Sequence, residues 1–199
     1  MAEITKEKWV IDPTHSEIEF KVKHLMVTNV KGKFKEFEAS IYTTGDDFMS
    51  AEIDCWINAS SVDTGNTDRD THLKNADFFD VEKFPRIHFN STSVVKLKEE
   101  DKYELSGELS IKGISKPVSL IVEYGGTVKD PWGKEMSGFQ VDGKVNRNDW
   151  GIIFNMPLEL GGVLVGEEVT ITAEIELIKG EAHELVIETL ITDNADHIM

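Results

Sequence analysis

The sequence predicts an all-β fold, an antiparallel barrel of about eight strands with a short helix across one end. Three observations support this prediction. Apolar and polar residues alternate along most of the chain, short turns separate the alternating runs, and one polar segment has helical spacing. Strands with one apolar face that are joined by short turns form a meander rather than βαβ units. A sheet of this size must close on itself to cover its apolar face and remove its edges.

The alternation begins with Ile18, Phe20 and Val22, which are interleaved with charged residues. Phe34 and Phe37 are out of phase with each other, which predicts a bulge between them. Gly125 and Gly126 interrupt a long run and predict a second bulge or a sharp bend. The alternating runs lie at about 18–24, 37–42, 49–58, 87–97, 103–111, 118–124, 139–145 and 169–177.

Residues 63–80 break the alternation. This segment is polar, and Leu73, Ala76 and Phe79 have the spacing of one helix face. We expect a short helix lying across one end of the barrel, anchored through polar bonds of Arg69 and Asp70. The predicted division is a barrel domain over 1–179 and a C-terminal extension over 180–199, which is either a helix or an added strand.

Composition excludes several classes of function. The chain has 199 residues and a net charge of -16, so its surface repels nucleic acid and anionic bilayers. Cys55 is the only cysteine, which rules out an internal disulfide. The N-terminus lacks the apolar core of a signal peptide, and no apolar run reaches the ~18 residues of a membrane span. We therefore expect a cytoplasmic protein that is not integral to a membrane.

Motifs for familiar enzyme chemistry are missing from the sequence. There is no GxSxG, HExxH, P-loop or GxGxxG in the required context. Asp12, His15 and Ser16 are close in sequence, but adjacency does not make a catalytic triad. The remaining catalytic alternative is a metal-dependent enzyme that uses His24 and His72 at the barrel rim, with Asp68 and His72 spaced i,i+4 on the predicted helix.

An eight-stranded barrel can be filled by its own side chains or can hold one small ligand. Small residues fall on the inward face, whereas large neighbours such as Phe20, Phe89, Tyr103 and Trp150 could fill the space they leave. The residues alone leave both outcomes open. The small inward residues are Ala39, Ala51, Ser91, Ser93, Gly107, Gly143 and Ala173.

An ordered series of short segments resembles the YceI-like family from about Trp9 to Lys179. The segments are 12–16 (DPTHS), 20–24 (FKVKH), 32–37 (GKFKEF), 69–74 (RDTHLK), 84–89 (FPRIHF), 107–113 (GELSIKG), 147–151 (RNDWG) and 165–169 (VGEEV).

The resemblance implies an extended lipocalin-like barrel that binds long polyisoprenoids or other amphiphilic lipids in a central tunnel, with no established catalytic residues. It thus favours non-catalytic binding, storage or transport of a polyisoprenoid, an isoprenoid quinone or a fatty-acid derivative. No cofactor beyond the bound lipid is expected, and a homodimer stays open. The candidate ligand-binding residues are Phe20, Val22, His24, Phe34, Phe37, His72, Phe89, Tyr103 and Trp150.

Overall fold

The computed structural model describes residues 6–158 and 161–180. These residues form eleven strands, one α-helix and two 3₁₀ turns, at Ala59–Ser61 and Arg147–Trp150. The α-helix α1 spans Thr67–Lys74. The strands are β1 (Lys6–Ile11), β2 (Glu17–His24), β3 (Thr28–Phe34), β4 (Phe37–Thr44), β5 (Asp47–Asn58), β6 (Val62–Asp63), β7 (Arg86–Lys96), β8 (Lys102–Ile111), β9 (Ile114–Lys129), β10 (Glu135–Asn146) and β11 (Val165–Lys179).

Eight strands close into the predicted antiparallel barrel. Their order is β1-β4-β5-β7-β8-β9-β10-β11, and β1 pairs with β11 to complete the ring. The long strand β11 is shared, because residues 177–179 pair with β1 whereas residues 165–174 pair with β2. Strands β2, β3 and β6 therefore extend the wall of the barrel at one end.

The barrel interior contains two hydrophobic clusters. Trp9, Ile41 and Leu177 form the smaller one near the β1 closure. The larger one is built around Phe89 and Trp150 and reaches from β3 to the second 3₁₀ turn. Period-two alternation places the strand residues of these clusters on the inner face of the barrel, so the sequence pattern and the core agree.

Helix α1 lies within the predicted polar segment 63–80, at one end of the barrel. The Asn66 side chain caps it by accepting a hydrogen bond from the Arg69 amide at 2.9 Å. Asp70 accepts bonds from the amide and hydroxyl of Thr64, and the Arg69 guanidinium donates to the Thr64 hydroxyl and carbonyl. The predicted anchoring by Arg69 and Asp70 is therefore present.

Two local predictions have different outcomes. The bulge expected between Phe34 and Phe37 is wrong, because β3 ends at Phe34 and β4 begins at Phe37, so the change of phase marks a strand boundary. The irregularity expected at Gly125–Gly126 is confirmed by a register shift opposite Gly138 and by a φ of 110° at Gly126. The predicted C-terminal extension lies outside the described residues from residue 181 onward.

Candidate functional site

A cavity of about 310 Å³ lies inside the barrel. Its lining runs from Ile11 and Leu177, near the β1 closure, to Phe78 and Ile152 beneath the opposite end. The surface exposed to the cavity is entirely apolar. Its volume is at the lower end of the roughly 300–1,000 Å³ that is typical of small-molecule sites. This void fits an apolar chain rather than a polar metabolite, which would need hydrogen-bonding partners.

Most of the candidate ligand-binding residues contribute to this cavity. On the extended wall, Phe20 and Val22 come from β2 and Phe34 comes from β3. Across the barrel the lining includes Phe89, Tyr103 and Trp150. Lining a cavity does not by itself show contact with a ligand, so binding by these six residues stays a prediction.

The other three candidates lie outside the lining. Phe37 is half-buried at the start of β4, where it pairs with Ile57. His24 is the last residue of β2. His72 lies on α1 with its Nε2 3.0 Å from an Asp77 carboxylate oxygen, edge-on to two phenylalanines at the end of the barrel. A position at the rim of the barrel does not require contact with a ligand inside it.

The prediction that Ser93 points inward is wrong, because the register of β7 shifts between Ser91 and Ser93 and leaves Ser93 exposed. The small inward alanines and glycines fall into two groups. Ala39, Ala51 and Ala173 line the cavity and leave space there. Gly107 instead makes room for a neighbour, because a Cβ at this position would lie 2.5 Å from the Phe89 ring. Gly143 accommodates Leu120 in the same way. The barrel is therefore neither empty nor filled: large side chains fold over the glycines, and the alanines border the void.

A buried thiol and a buried cation also line the cavity, and neither was among the candidate residues. Burial raises the pKa of Cys55 to about 12, so the thiol is neutral at physiological pH. Arg147 is 5% exposed and donates to the carbonyls of Gly166, Ile152 and Val165. Burial lowers the pKa of Arg147. Because these carbonyls engage the guanidinium, it is no ready anchor for a ligand head group.

Aromatic side chains close the cavity near β1. Phe48 packs against Trp9 at 5.1 Å, against Phe139 at 4.9 Å and against Tyr124 at 5.7 Å between ring centroids. The Trp9 indole donates to the Thr43 hydroxyl at 3.1 Å, which satisfies its buried N–H. The alternation in the sequence gave no signal for Phe48 or for this cluster.

Trp150 and Arg147 form the other end of the cavity. The Trp150 indole donates to the Leu109 carbonyl at 2.9 Å, and the side chain is 2% exposed. Both residues come from the 3₁₀ turn that follows β10, where the Asn146 side chain caps the first turn. The mostly polar segment 147–150 thus supplies Trp150, which forms the apolar floor of the cavity.

The comparisons with known proteins agree on one family. The model of the YceI-like domain matches residues 9–177. A UPF0312 protein of Staphylococcus epidermidis strain ATCC 12228 is 40% identical over 170 residues, which cover 85% of this chain and 96% of that protein.

The chain belongs to the YceI-like family. The crystal structure of the Campylobacter jejuni YceI protein has a TM-score of 0.69 and 33% identity, and the match covers 80% of this chain and 90% of that one. A polyisoprenoid binding domain from Saccharophagus degradans has a TM-score of 0.62 and 14% identity, and covers 86% of this chain and 98% of that one. The latter shows a shared fold. The resemblance inferred from the ordered segments is confirmed.

The segments that indicated the YceI-like family have structural roles around the cavity. Segment 69–74 forms most of helix α1, and segment 147–151 forms the floor turn with Gly151 at a φ of 68°. Segment 107–113 contains the tight β8–β9 turn, where Lys112 and Gly113 both have positive φ. No helix in the described part of the chain is long and apolar enough to cross a membrane.

The metal alternative gains no support from the positions of the rim histidines. Across residues 6–158 and 161–180, the one cluster of three potential ligands is Asp12, His15 and Glu176, which contains neither His24 nor His72. In that cluster the His15 Nδ1 lies 2.9 Å from an Asp12 oxygen. Hydrogen bonds from Thr14 and His15 lower the pKa of Asp12 to about 2, and the bond to Asp12 raises the pKa of His15. Local hydrogen bonding accounts for this cluster.

A catalytic triad from Asp12, His15 and Ser16 is not formed. The Ser16 hydroxyl is buried, donates to the Glu176 carbonyl at 3.4 Å and accepts from the Glu176 amide at 2.9 Å. A serine nucleophile needs its hydroxyl beside a histidine nitrogen. Ser16 instead joins the chain before β2 to strand β11.

Proposed function

We propose that this protein binds one long apolar lipid inside the barrel and acts as a non-catalytic carrier or store. The single observation that carries the proposal is the entirely apolar cavity of about 310 Å³ along the barrel. Each buried CH₂ contributes about 0.8 kcal/mol, so fifteen carbons give roughly 12 kcal/mol. Association costs of several kcal/mol leave enough for about micromolar or tighter binding.

A polyisoprenoid, such as a polyprenol or the tail of an isoprenoid quinone, is the favoured ligand class. The cavity surface has no polar atoms, and the guanidinium of Arg147 bonds backbone carbonyls. A carboxylate held in this environment would carry a large desolvation cost. A fatty-acid derivative is therefore a weaker candidate unless its head group stays outside. The polyisoprenoid binding domain of Saccharophagus degradans has the same fold, which makes a polyprenol the first compound to test.

The first experiment identifies the ligand directly. Organic extraction of the purified protein followed by mass spectrometry should give a long-chain lipid in about one-to-one ratio with the protein. Delipidated protein should then take up added polyprenol. The repeated absence of extracted lipid, combined with no uptake, would contradict the proposal.

A matched pair of variants tests whether the cavity is the binding site. Ala39→Leu and Ala173→Leu each add three carbons to the cavity wall and should lower polyprenol affinity by roughly tenfold or more. The control is Ala76→Leu, the same change at an exposed position after α1, which should leave affinity unchanged. Thermal unfolding of each variant verifies that it is folded before uptake is measured.

A cytoplasmic location belongs to the same proposal. The single cysteine and the strongly acidic composition fit a protein of a reducing, aqueous compartment. Subcellular fractionation with an antibody against the full chain tests this part, and recovery in an extracytoplasmic fraction would contradict it.

A further inference from the structure

Large apolar side chains are exposed together at the end of the barrel that carries the Trp150 floor. We call the residues Leu25, Met26, Val27, Ile153 and Met156 the apolar tip. Their exposed fractions are 39%, 53%, 75%, 71% and 56%. Exposed apolar residues that lie together mark an interaction surface more often than scattered ones do.

The two parts of the apolar tip are joined through Leu164, whose amide donates to the Met156 carbonyl at 3.0 Å. The Leu25 amide donates to the Leu164 carbonyl at 2.9 Å. The Met26 side chain lies close to Gly162, because its Cγ would be 3.4 Å from a Cβ built there. The β2–β3 turn and the segment that leads into β11 therefore present one surface.

The backbone of this turn is unusual for its residues. Leu25 and Met26 have φ of 52° and 61°, a conformation that tight turns reserve for Gly, Asn or Asp. Apolar residues therefore occupy positions at which this turn geometry favours Gly, Asn or Asp, and their side chains are exposed. Ordinary turn chemistry gives no reason for this choice.

Three lysines lie directly behind the apolar tip. Lys21, Lys23 and Lys31 are exposed on the outer face of β2 and β3, and Lys21 pairs directly with Lys31. Like charges directly opposite destabilise a sheet. Among the described residues, no carboxylate forms an ion pair with any of the three. Lys23 and Lys21 precede Leu25 by two and four residues, which is about 7 and 13 Å along a strand.

The nearest acidic groups on the adjoining strand have other neighbours. Glu168 of β11 pairs with Lys144 at 2.8 Å, and Glu167 lies close enough to Arg147 to favour the charged form of that guanidinium. Further from the tip, Lys33 pairs with Glu17 at 2.9 Å. The outer face of β2 and β3 is thus basic next to the tip and neutralised beyond it, in a chain whose net charge is -16.

The apolar tip adjoins the end of the cavity. Phe154, between Ile153 and Met156, packs against Phe78 with ring centroids 5.3 Å apart. Phe78 and Ile152 both line the cavity. A surface seated on the tip would lie next to this end of the barrel.

We propose that the apolar tip inserts into the surface of an anionic phospholipid bilayer while Lys21, Lys23 and Lys31 contact its head groups. Interfacial apolar groups sit about 5–10 Å deep, which places the lysines at head-group level. Basic residues close to an anionic surface are attracted to it, and the attraction falls off within a Debye length. The acidic remainder of the molecule is repelled, so docking is oriented and reversible. This docking needs no ligand in the cavity and does not rest on the proposed lipid binding.

Vesicle co-sedimentation with delipidated full-length protein tests the proposal. The protein should bind vesicles of phosphatidylcholine with about one third phosphatidylglycerol, bind pure phosphatidylcholine far more weakly, and be released near 1 M salt, where the Debye length falls to about 3 Å. No binding to the anionic vesicles at low salt would overturn it.

Two sets of variants locate the contact. The double variant Val27→Ser/Ile153→Ser should reduce vesicle binding by about tenfold or more. The triple variant Lys21→Gln/Lys23→Gln/Lys31→Gln should abolish the preference for anionic vesicles. The matched controls are Val95→Ser/Val128→Ser, at positions 55% and 67% exposed, and Lys96→Gln/Lys98→Gln/Lys129→Gln, and both should bind like the wild type. Equal binding by the tip variants and their controls would overturn the proposal.

Two further measurements separate this inference from the proposed function. Uptake of polyprenol added in solution should be unchanged in the tip variants; a wild-type protein that takes up polyprenol but does not bind the anionic vesicles would overturn only the docking. Light scattering after size exclusion should show no assembly that Val27→Ser/Ile153→Ser disrupts. An assembly broken by that variant would mean that a second copy covers the tip, and would overturn the proposal.

Discussion

At the scale of single residues, glycine and aromatic side chains share the space inside the barrel. Gly107 and Phe89 lie on neighbouring strands, and the Phe89 ring occupies the place where a Cβ at residue 107 would be. The same relation holds between Gly143 and Leu120. A glycine in a strand interior costs stability unless something packs on it, and here a neighbouring side chain does. This packing consumes part of the barrel volume and confines the cavity to the remainder.

Gly107→Ala should therefore destabilise the barrel by about 1–3 kcal/mol, the usual cost of overpacking. The new Cβ would lie 2.5 Å from the Phe89 ring and 2.6 Å from the Asn90 carbonyl oxygen, and the backbone atom cannot rotate away. The control is Gly138→Ala on β10, where nothing lies within 4 Å of the new Cβ. Urea unfolding measures both, and equal free energies of unfolding for the two variants would contradict this packing.

Cys55 should be an unreactive thiol until the barrel opens. Its pKa of about 12 compares with the ordinary value of 9.0, so its thiolate fraction near pH 8 is roughly a thousandfold below that of a free cysteine. We expect alkylation at least a thousandfold slower in the folded protein than in urea. Similar rates in both states would show that the thiol is not buried.

The same shift predicts how Cys55 affects stability with pH. The folded state binds the thiol proton more tightly than the unfolded state, so this contribution is fully present below pH 9 and is lost as the pH rises through about 12. Cys55→Ala should show a weaker alkaline loss of stability than the wild type over this window. Urea unfolding series of the two proteins at alkaline pH make the comparison, and parallel curves would contradict the shift.

At the scale of elements, the turn after β10 depends on one buried cation. Arg147 bonds the carbonyls of Gly166, Val165 and Ile152, which belong to the start of β11 and to the segment before it. One side chain thus joins the floor turn to the strand that closes the barrel. Its positive charge lowers the cost of bringing three carbonyl oxygens together, and its stem lines the cavity.

Arg147→Met should cost about 3 kcal/mol or more, because it keeps the stem but leaves buried carbonyls without donors. The control is Arg86→Met, which removes an exposed guanidinium that lies 5.4 Å over the Trp56 ring and should cost about 1 kcal/mol or less. Urea unfolding measures the loss in the free energy of unfolding for each of the two variants. Similar values for the two variants would mean that Arg147 does not hold the floor turn.

Element boundaries illustrate what alternation can and cannot predict. Period-two patterns identified the strands, because one face of each strand meets the barrel interior. The phase change between Phe34 and Phe37 looked like a bulge, yet it is a strand end, since alternation does not distinguish an added residue from a two-residue turn. Helix α1 was predicted from the polar content of its segment and from the spacing of Leu73, Ala76 and Phe79, but it ends at Lys74, before the last two of these residues.

At the scale of the whole molecule, the sequence predicts that the barrel closes but not that β11 is shared between β1 and β2. The need to cover apolar faces predicts a closed sheet. The pairing of β11 with both β1 and β2 follows from long-range register, which no local pattern encodes. Local alternation, by contrast, was enough to place Phe20, Cys55 and Phe89 on the inner face, whereas the buried position of Arg147 became apparent only with the assembled barrel.

The ligand and the barrel should also be coupled through stability. A ligand that binds only the folded state adds RT ln(1 + [L]/Kd), which is about 2.7 kcal/mol at a hundredfold excess over Kd. For a chain of this size that corresponds to a rise in Tm of roughly 5–10 °C. Calorimetry of delipidated wild-type protein titrated with polyprenol should show this rise in Tm. The control Ala76→Leu should show the same rise. Ala173→Leu should show little of the rise, because its added carbons occupy the cavity. An equal rise in Ala173→Leu would place the bound chain outside the barrel interior.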